Sequence, residues 1–339
     1  MSAAAEHAKA GTPAAAAAAT APKPGRGRAV ALVAAAAAVI VAAFLGLDRV
    51  GTDYLYLAAY TVLQFVVLAT AWNILGGYAG YVNFGSAGFF AVGVYMSVVV
   101  YQTVGLPILA TIPLAAAAAG LLGLATGYLT LRLRGVFFSI GTLALAIVLQ
   151  TLVVNWAWVG GARGVYVLRP QTVVVFGSYA RYLFAVMLGL AVVSVLIARL
   201  IEHSWLGRGL AAIRDDETAA ECAGVPALRM KLIATTISGA LMGAAGAPFP
   251  YFVTYVDPNT AFSLSIAVNT IAMPLIGGTT TWAGPVIGAL LIGSLQQFVT
   301  VTISSAANLL VVGALLVVFV VVAPNGIVGL VHSLREGRR

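Results

Sequence analysis

Charge is what this chain has least of. Its 339 residues include 18 Lys and Arg and 10 Asp and Glu, 8% in all, while 61% are hydrophobic. A typical soluble domain carries about 25% charged residues, and a surface this poor in charge could not be kept in water. The chain therefore reads as an all-α polytopic membrane protein, because a backbone buried in lipid must satisfy its own hydrogen bonds. The one cysteine, Cys222, excludes an intrachain disulfide and a thiolate cluster for zinc or iron–sulfur. His7, His203 and His332 are too widely separated to give metal or catalytic spacing. The three lysines stand in "AKA", "PKP" and "MKL", so there is no G-K-[ST] motif and no phosphate-cradling loop. No cofactor is expected on this chain, and any ATP that drives it must be hydrolysed on another one. The ten acids, at positions 6, 48, 53, 202, 215, 216, 217, 221, 257 and 336, all fall outside the apolar interiors, as do the lysines and histidines. Ionisable groups inside the membrane mark proton relays and ion-coupled pumps, so their lack argues against an ion-driven transporter.

What is present is a series of apolar runs near 29–47, 54–75, 86–104, 108–131, 136–157, 181–201, 229–254, 263–278, 283–303 and 306–323. Each is close to the roughly 20 residues that cross a bilayer, which gives about ten transmembrane helices, some of them broken. With the N-terminal tail in the cytoplasm, ten crossings return the C-terminus to the same side. Only Arg49, Arg163, Arg169 and Arg181 of the 18 basic residues then lie outside. That bias toward the cytoplasm supports both the count and the orientation, with both termini inside. It also accounts for the net charge of +8 without nucleic acid, since the bases sit in short segments between apolar runs, a pattern that orients helices among membrane lipid. The domain reading is a disordered basic tail at 1–28, a membrane domain at 29–325 with a cytoplasmic loop at 202–228, and a cytoplasmic tail at 326–339.

Two stretches interrupt the helical pattern: "NILGGYAGYVNFGSAGFFAVGVY" at 73–95 and "MPLIGGTTTWAGPVIGA" at 273–289, the second within a short run broken by Pro274. Irregular backbone at membrane depth is tolerated where protein or a water-filled cavity covers it, so both are candidate cavity-lining segments; small residues packing helix on helix would leave the same trace. Among the sparse neutral polar groups in the runs, Asn73, Asn83, Ser139, Thr142 and Asn269 are the candidates for a solute pathway, with helix–helix hydrogen bonding as the alternative role of each. A path of this kind suits a neutral or zwitterionic solute with apolar parts.

The scarce charge is also unevenly distributed. Positions 207–224 read "GRGLAAIRDDETAAECAG" and hold Arg208, Arg214, Asp215, Asp216, Glu217 and Glu221. Asp215 or Asp216 can cap a helix, Glu217 suits its positive end, Ala219 and Ala220 propagate it, and Gly224 with Pro226 stops it. Thr218 and Glu221 offer capping-box spacing as a second start. The spacing predicts a short helix at about 215–223, well below the ~12 residues at which isolated helices become marginal in water, so something else must hold it. Leu206, Leu210 and Ile213 recur at helical spacing and can anchor the loop to the membrane domain.

These three stretches, in this order and spacing, resemble the branched-chain amino acid permease family of ABC importers, and within it the M-type subunit, over about residues 54–330. The resemblance implies a large importer permease fold of the vitamin B12 type. It also implies a homologous H-type permease partner, two cytoplasmic ATPase subunits that hold the ATP, and an extracytoplasmic binding protein that delivers leucine, isoleucine, valine or related solutes. Relatives with the same motifs carry urea, short amides or small aromatic acids, and a channel or scaffold working without ATP is the reading from another class. In the importer setting, Arg214, Asp215, Asp216, Glu217, Thr218, Ala219, Ala220, Glu221 and Gly224 form the segment that couples to the ATPase. The chain departs from the wider E-A-A-x-x-x-G pattern by carrying Thr218 where the glutamate is expected, and its outer loop "GGARGVY" is more basic than is usual.

Overall fold

A computed structural model describes residues 52–130, 133, 135–168, 177–302 and the separate positions 313, 314, 326, 327 and 329. Eight helical segments among these are long and apolar enough to cross a membrane. They are α1 (Asp53–Gly76), α2 (Ser86–Thr103), α3 (Ile108–Thr130), α4 (Val136–Val154), α5 (Tyr179–Glu202), the pair α8 (Ala227–Gly246) and α9 (Phe249–Val253), the pair α10 (Pro258–Ala261) and α11 (Leu264–Gly277), and α12 (Ala283–Thr302). Between α5 and α8 lie two helices too short to span, α6 (Trp205–Asp215) and α7 (Glu217–Cys222). Eight of the ten expected spans correspond to these segments. The runs at 29–47 and 306–323, and the tail at 1–28, lie outside the described residues.

Two boundaries differ from the sequence expectation. The run 229–254 is not one helix: Pro248 and Pro250 divide it into α8 and α9, since proline lacks the N–H that the ladder needs. Pro274, expected to interrupt its run, lies inside α11. The break comes earlier, where Asp257 caps the four-residue α10 through Asn259 and Thr260, and Ser263 starts α11 by accepting from Ser265 N at 3.2 Å.

The bundle is apolar outside as well as in, its core holding Trp72, Phe90 and Leu183 among others. Leu121, Leu124, Phe137, Ile140, Ile147 and Leu152 of α3 and α4 face outward, while the seams between helices are built from small residues. α8 packs most extensively on α3 and also lies against α1 and α2. A Cβ placed on Gly93 would overlap the carbonyl oxygen of Gly243, and one on Gly243 would overlap Ala119. Contacts this close bring backbones together, the device by which helices associate where lipid offers no hydrophobic driving force.

The connections separate onto two ends. At one, residues 77–85, α6, α7 and residues 278–282 meet, joined by Arg214 to Gly77 O at 3.5 Å and Trp282 N to Glu202 at 2.6 Å. At the other, Ser178 donates to Asp53 at 2.7 Å, and a two-stranded antiparallel ribbon pairs β1 (Val165–Tyr166) with β2 (Tyr255–Val256).

Candidate functional site: a charged loop fastened to the helix bundle

The loop after α5 is built from strong local signals. Ser204 caps α6 by accepting from Leu206 N at 3.1 Å and Gly207 N at 3.3 Å. α6 is amphipathic: Leu206, Leu210 and Ile213 are buried and Arg208 is exposed, as the helical spacing predicts. It ends at Asp216, whose backbone is extended and whose side chain accepts from Ala219 N at 3.0 Å, so Asp216 closes one helix and caps the next. Of the possible starts, the chain uses Asp216; Thr218 is exposed and caps nothing. After Cys222 the chain turns through Gly224 at φ 86°, a left-handed conformation that glycine adopts without a Cβ penalty.

α7 has only six residues, so tertiary contacts must hold it. Its Ala220 is buried against the bundle. Glu217 at its first turn meets Lys231 of α8, Nζ to Oε1 at 2.7 Å, and accepts a hydrogen bond from the Tyr81 hydroxyl. The ammonium of Lys231 also donates to Tyr81 Oη at 3.0 Å and lies 4.5 Å from the centre of the Tyr81 ring. Lys231 is 2% exposed and Glu217 15%. Taking an ammonium out of water costs several kcal/mol, offset here by a carboxylate, a hydroxyl and a ring face. The Tyr81 ring is fixed in turn by an edge contact with Phe138 of α4, centroids 5.2 Å apart.

A second carboxylate gathers the rest of this end. Glu202, the last residue of α5, accepts from Trp282 N at 2.6 Å and from the Tyr78 hydroxyl at 3.4 Å. Burial, with the charge of Glu202 added to it, pushes the Tyr78 phenol above its ordinary range, so it remains a donor. The Arg199 guanidinium lies 5.2 Å from the Trp282 ring centre. Tyr78, Glu202, Arg208, Arg214 and Thr280 line a cleft of about 170 Å³ under α6. Arg214 also meets Asp215 at 3.4 Å, but that pair is exposed and stabilises little.

The two glycine-rich stretches thus converge on the underside of the charged loop, with residues 77–85 bearing Tyr78 and Tyr81 and residues 278–282 bearing Trp282. The candidate pathway residues have local partners. Asn83 Oδ1 accepts from Gly85 N at 2.7 Å, Ser139 donates to Val82 O at 2.8 Å, and Thr142 Oγ1 accepts from Phe84 N at 3.1 Å. All three help to fix the 77–85 segment, two of them by tying it to α4. Asn73 reaches Thr281 O at 3.4 Å. Asn269 accepts from Gln296 of α12 at 2.9 Å, at a different seam.

From the sequence, Lys231 reads as one more base beside the membrane, and nothing there singles out Tyr78, Tyr81, Glu202 or Trp282. One signal does bear on Lys231: the chain uses arginine nearly everywhere, and Lys231 is its one lysine after position 23.

Residues 54–320 match the family described as the branched-chain amino acid transport system permease component. The chain belongs to that family. Among its relatives in this permease family, the high-affinity branched-chain amino acid transport system permease protein LivM of Escherichia coli (strain K12) is 26% identical, over 79% of this chain and 68% of its own length. LivM of Salmonella typhimurium (strain LT2) gives the same figures. A probable branched-chain amino acid transport permease protein LivH of Methanocaldococcus jannaschii is 24% identical over 73% of this chain and 82% of its own. No solved structure matches.

Proposed function

We propose that this permease-family chain is the M-type membrane-spanning subunit of an ABC importer for branched-chain amino acids, and that α6 and α7 receive the motion of a cytoplasmic ATPase. On this reading a homologous H-type permease completes the membrane passage, two ATPase subunits hold the ATP, and an extracytoplasmic binding protein delivers the solute. The loop end faces the cytoplasm, in a bacterial inner membrane with both termini inside. The substrate class rests on the printed names of the LivM and LivH relatives.

The observation that carries the coupling role is the buried union of Glu217, Lys231 and Tyr81. It fastens a six-residue helix to α8, a membrane-spanning element, and to the segment between α1 and α2. The outer face of α7 can receive a partner: Ala219 and Cys222 are exposed, as is Ala223 just beyond it. A push on that face is therefore transmitted to α8 through a short, desolvated ion pair rather than through slack chain. Asp215, Asp216 and Gly224 shape the segment, and Arg214 ties α6 to the 77–85 turn.

Cys222 makes the reading directly testable, being the sole cysteine and exposed on the loop. In the assembled complex a short thiol-to-amine cross-linker should join Cys222 to an ATPase subunit. Cross-links to no ATPase in a complex that hydrolyses ATP would contradict it. Leucine uptake that continues when the ATPases are inactivated would favour the channel reading instead.

A further inference from the structure

Close to the end opposite the charged loop, the helix ladder is interrupted within a candidate membrane span, Pro258–Gly277. After α9, Thr254 sits at φ 65°, the one non-glycine residue with positive φ among those described. The chain then turns back through β2 and the four-residue α10 before Ser263 starts α11. This segment dips below the rim. Asn259 accepts from Gln150 of α4 at 3.2 Å, and Thr61 of α1 lies beside it, two turns and about 12 Å along the helix from Asp53. Asn259 and Thr260 are exposed there, and irregular, polar backbone at that depth is tolerated only where protein or a water-filled cavity covers it.

Cavities are present on both sides of α10. One of about 420 Å³ is lined by Gln64, Phe65, Phe249, Phe252, Asn259 and Ser263 among others. The other, of about 410 Å³, shares Asn259 and Ser263 and extends to Gln150. Each is within the size range of small-molecule sites. Neither has a charged lining residue; each sets amides and hydroxyls opposite apolar and aromatic side chains. Gln64 is the decisive group. It is 5% exposed, lines the first cavity, and has no hydrogen-bond partner among the described residues. Thr61, by contrast, donates to Leu57 O, and Ser263 caps Ser265 N. The Gln64 carboxamide is not among the fully enclosed unpaired groups, so it is reached from the cavity and can hydrogen-bond to whatever occupies it.

We infer that the crevice around α10 is a station on the solute path, holding a zwitterionic amino acid. The amides of Gln64 and Asn259 with the Ser263 hydroxyl would take its polar head, and Phe65, Phe249 and Phe252 its apolar side chain. This rests on the importer reading above for the identity of the solute, but not for the existence of the crevice.

The test uses the full complex with its ATPases and binding protein in vesicles. In a Cys222→Ser background, Gln64→Cys and Ser263→Cys should react with a small water-borne thiol reagent. ATP-driven turnover with leucine should slow that reaction about tenfold, while Val148→Cys on the outward face of α4 should not respond. Gln64→Leu should lower leucine moved per ATP hydrolysed about tenfold with assembly intact. Transport of leucine by complexes in which the thiols introduced at positions 64 and 263 stay unreactive, or react equally with and without turnover, overturns the proposal, as does normal transport by Gln64→Leu. If the wild-type complex hydrolyses ATP without moving leucine, the substrate assignment falls; turnover-dependent labelling of the Gln64→Cys variant in that case still supports the crevice as a path.

Discussion

Lys231 carries most of the weight at the scale of single residues. Replacing Glu217 by Gln leaves a 2% exposed ammonium facing a neutral amide, the situation that typically costs about 3–5 kcal/mol. Replacing both partners by apolar residues of similar volume removes the stranded charge. Glu217→Gln should therefore lower the thermal unfolding midpoint of the purified complex markedly, and Glu217→Met with Lys231→Met should recover much of the loss. Equal and additive losses for the two single changes and their double would show that the pair contributes no interaction. Tyr81→Phe keeps the ring face under the ammonium but removes the hydroxyl that bridges both ions, so its effect should fall between wild type and Glu217→Gln.

At the scale of elements, α7 depends on its two ends. Gly224 occupies the left-handed region with nothing within 4 Å of where a Cβ would sit, so substitution there tests backbone conformation alone. Gly224→Val costs roughly 1–2 kcal/mol in that conformation, whereas Gly224→Asn, which tolerates it, costs less. Uptake should drop more for valine than for asparagine, with membrane insertion unchanged in both; identical uptake would mean that the turn after α7 does not transmit force. This element is readable in the sequence because its signals are local: the Asp216 cap, the alanines and Gly224 all act within three or four residues. What fastens it is not. Lys231 is 14 residues from Glu217 across a glycine–proline turn, and Tyr81 is 136 residues away. No periodicity connects positions so distant, and a base at the edge of an apolar run looks the same whether it faces water or a carboxylate.

At the scale of the whole molecule, apolar run length locates the eight described spans, because bilayer thickness fixes helix length. It cannot place the breaks at Pro248 and Ser263, which depend on what the neighbouring elements supply. The glycine-rich stretches are recognisable as irregular, yet their destination under the charged loop comes from tertiary contact. The close α2–α8 approach at Gly93 and Gly243 sets the frame that α8 must move within. Gly243→Leu should therefore abolish accumulation of folded protein in the membrane, measured as detergent-stable monodisperse complex. In the importer proposed above, coupling stands on α7 driving α8 through the buried Glu217–Lys231 pair. The most direct test is the ratio of leucine transported to ATP hydrolysed in vesicles containing the Lys231→Met complex. Retained ATPase binding and hydrolysis with a severe loss of transport per ATP is the predicted result; a ratio equal to that of wild type would contradict it.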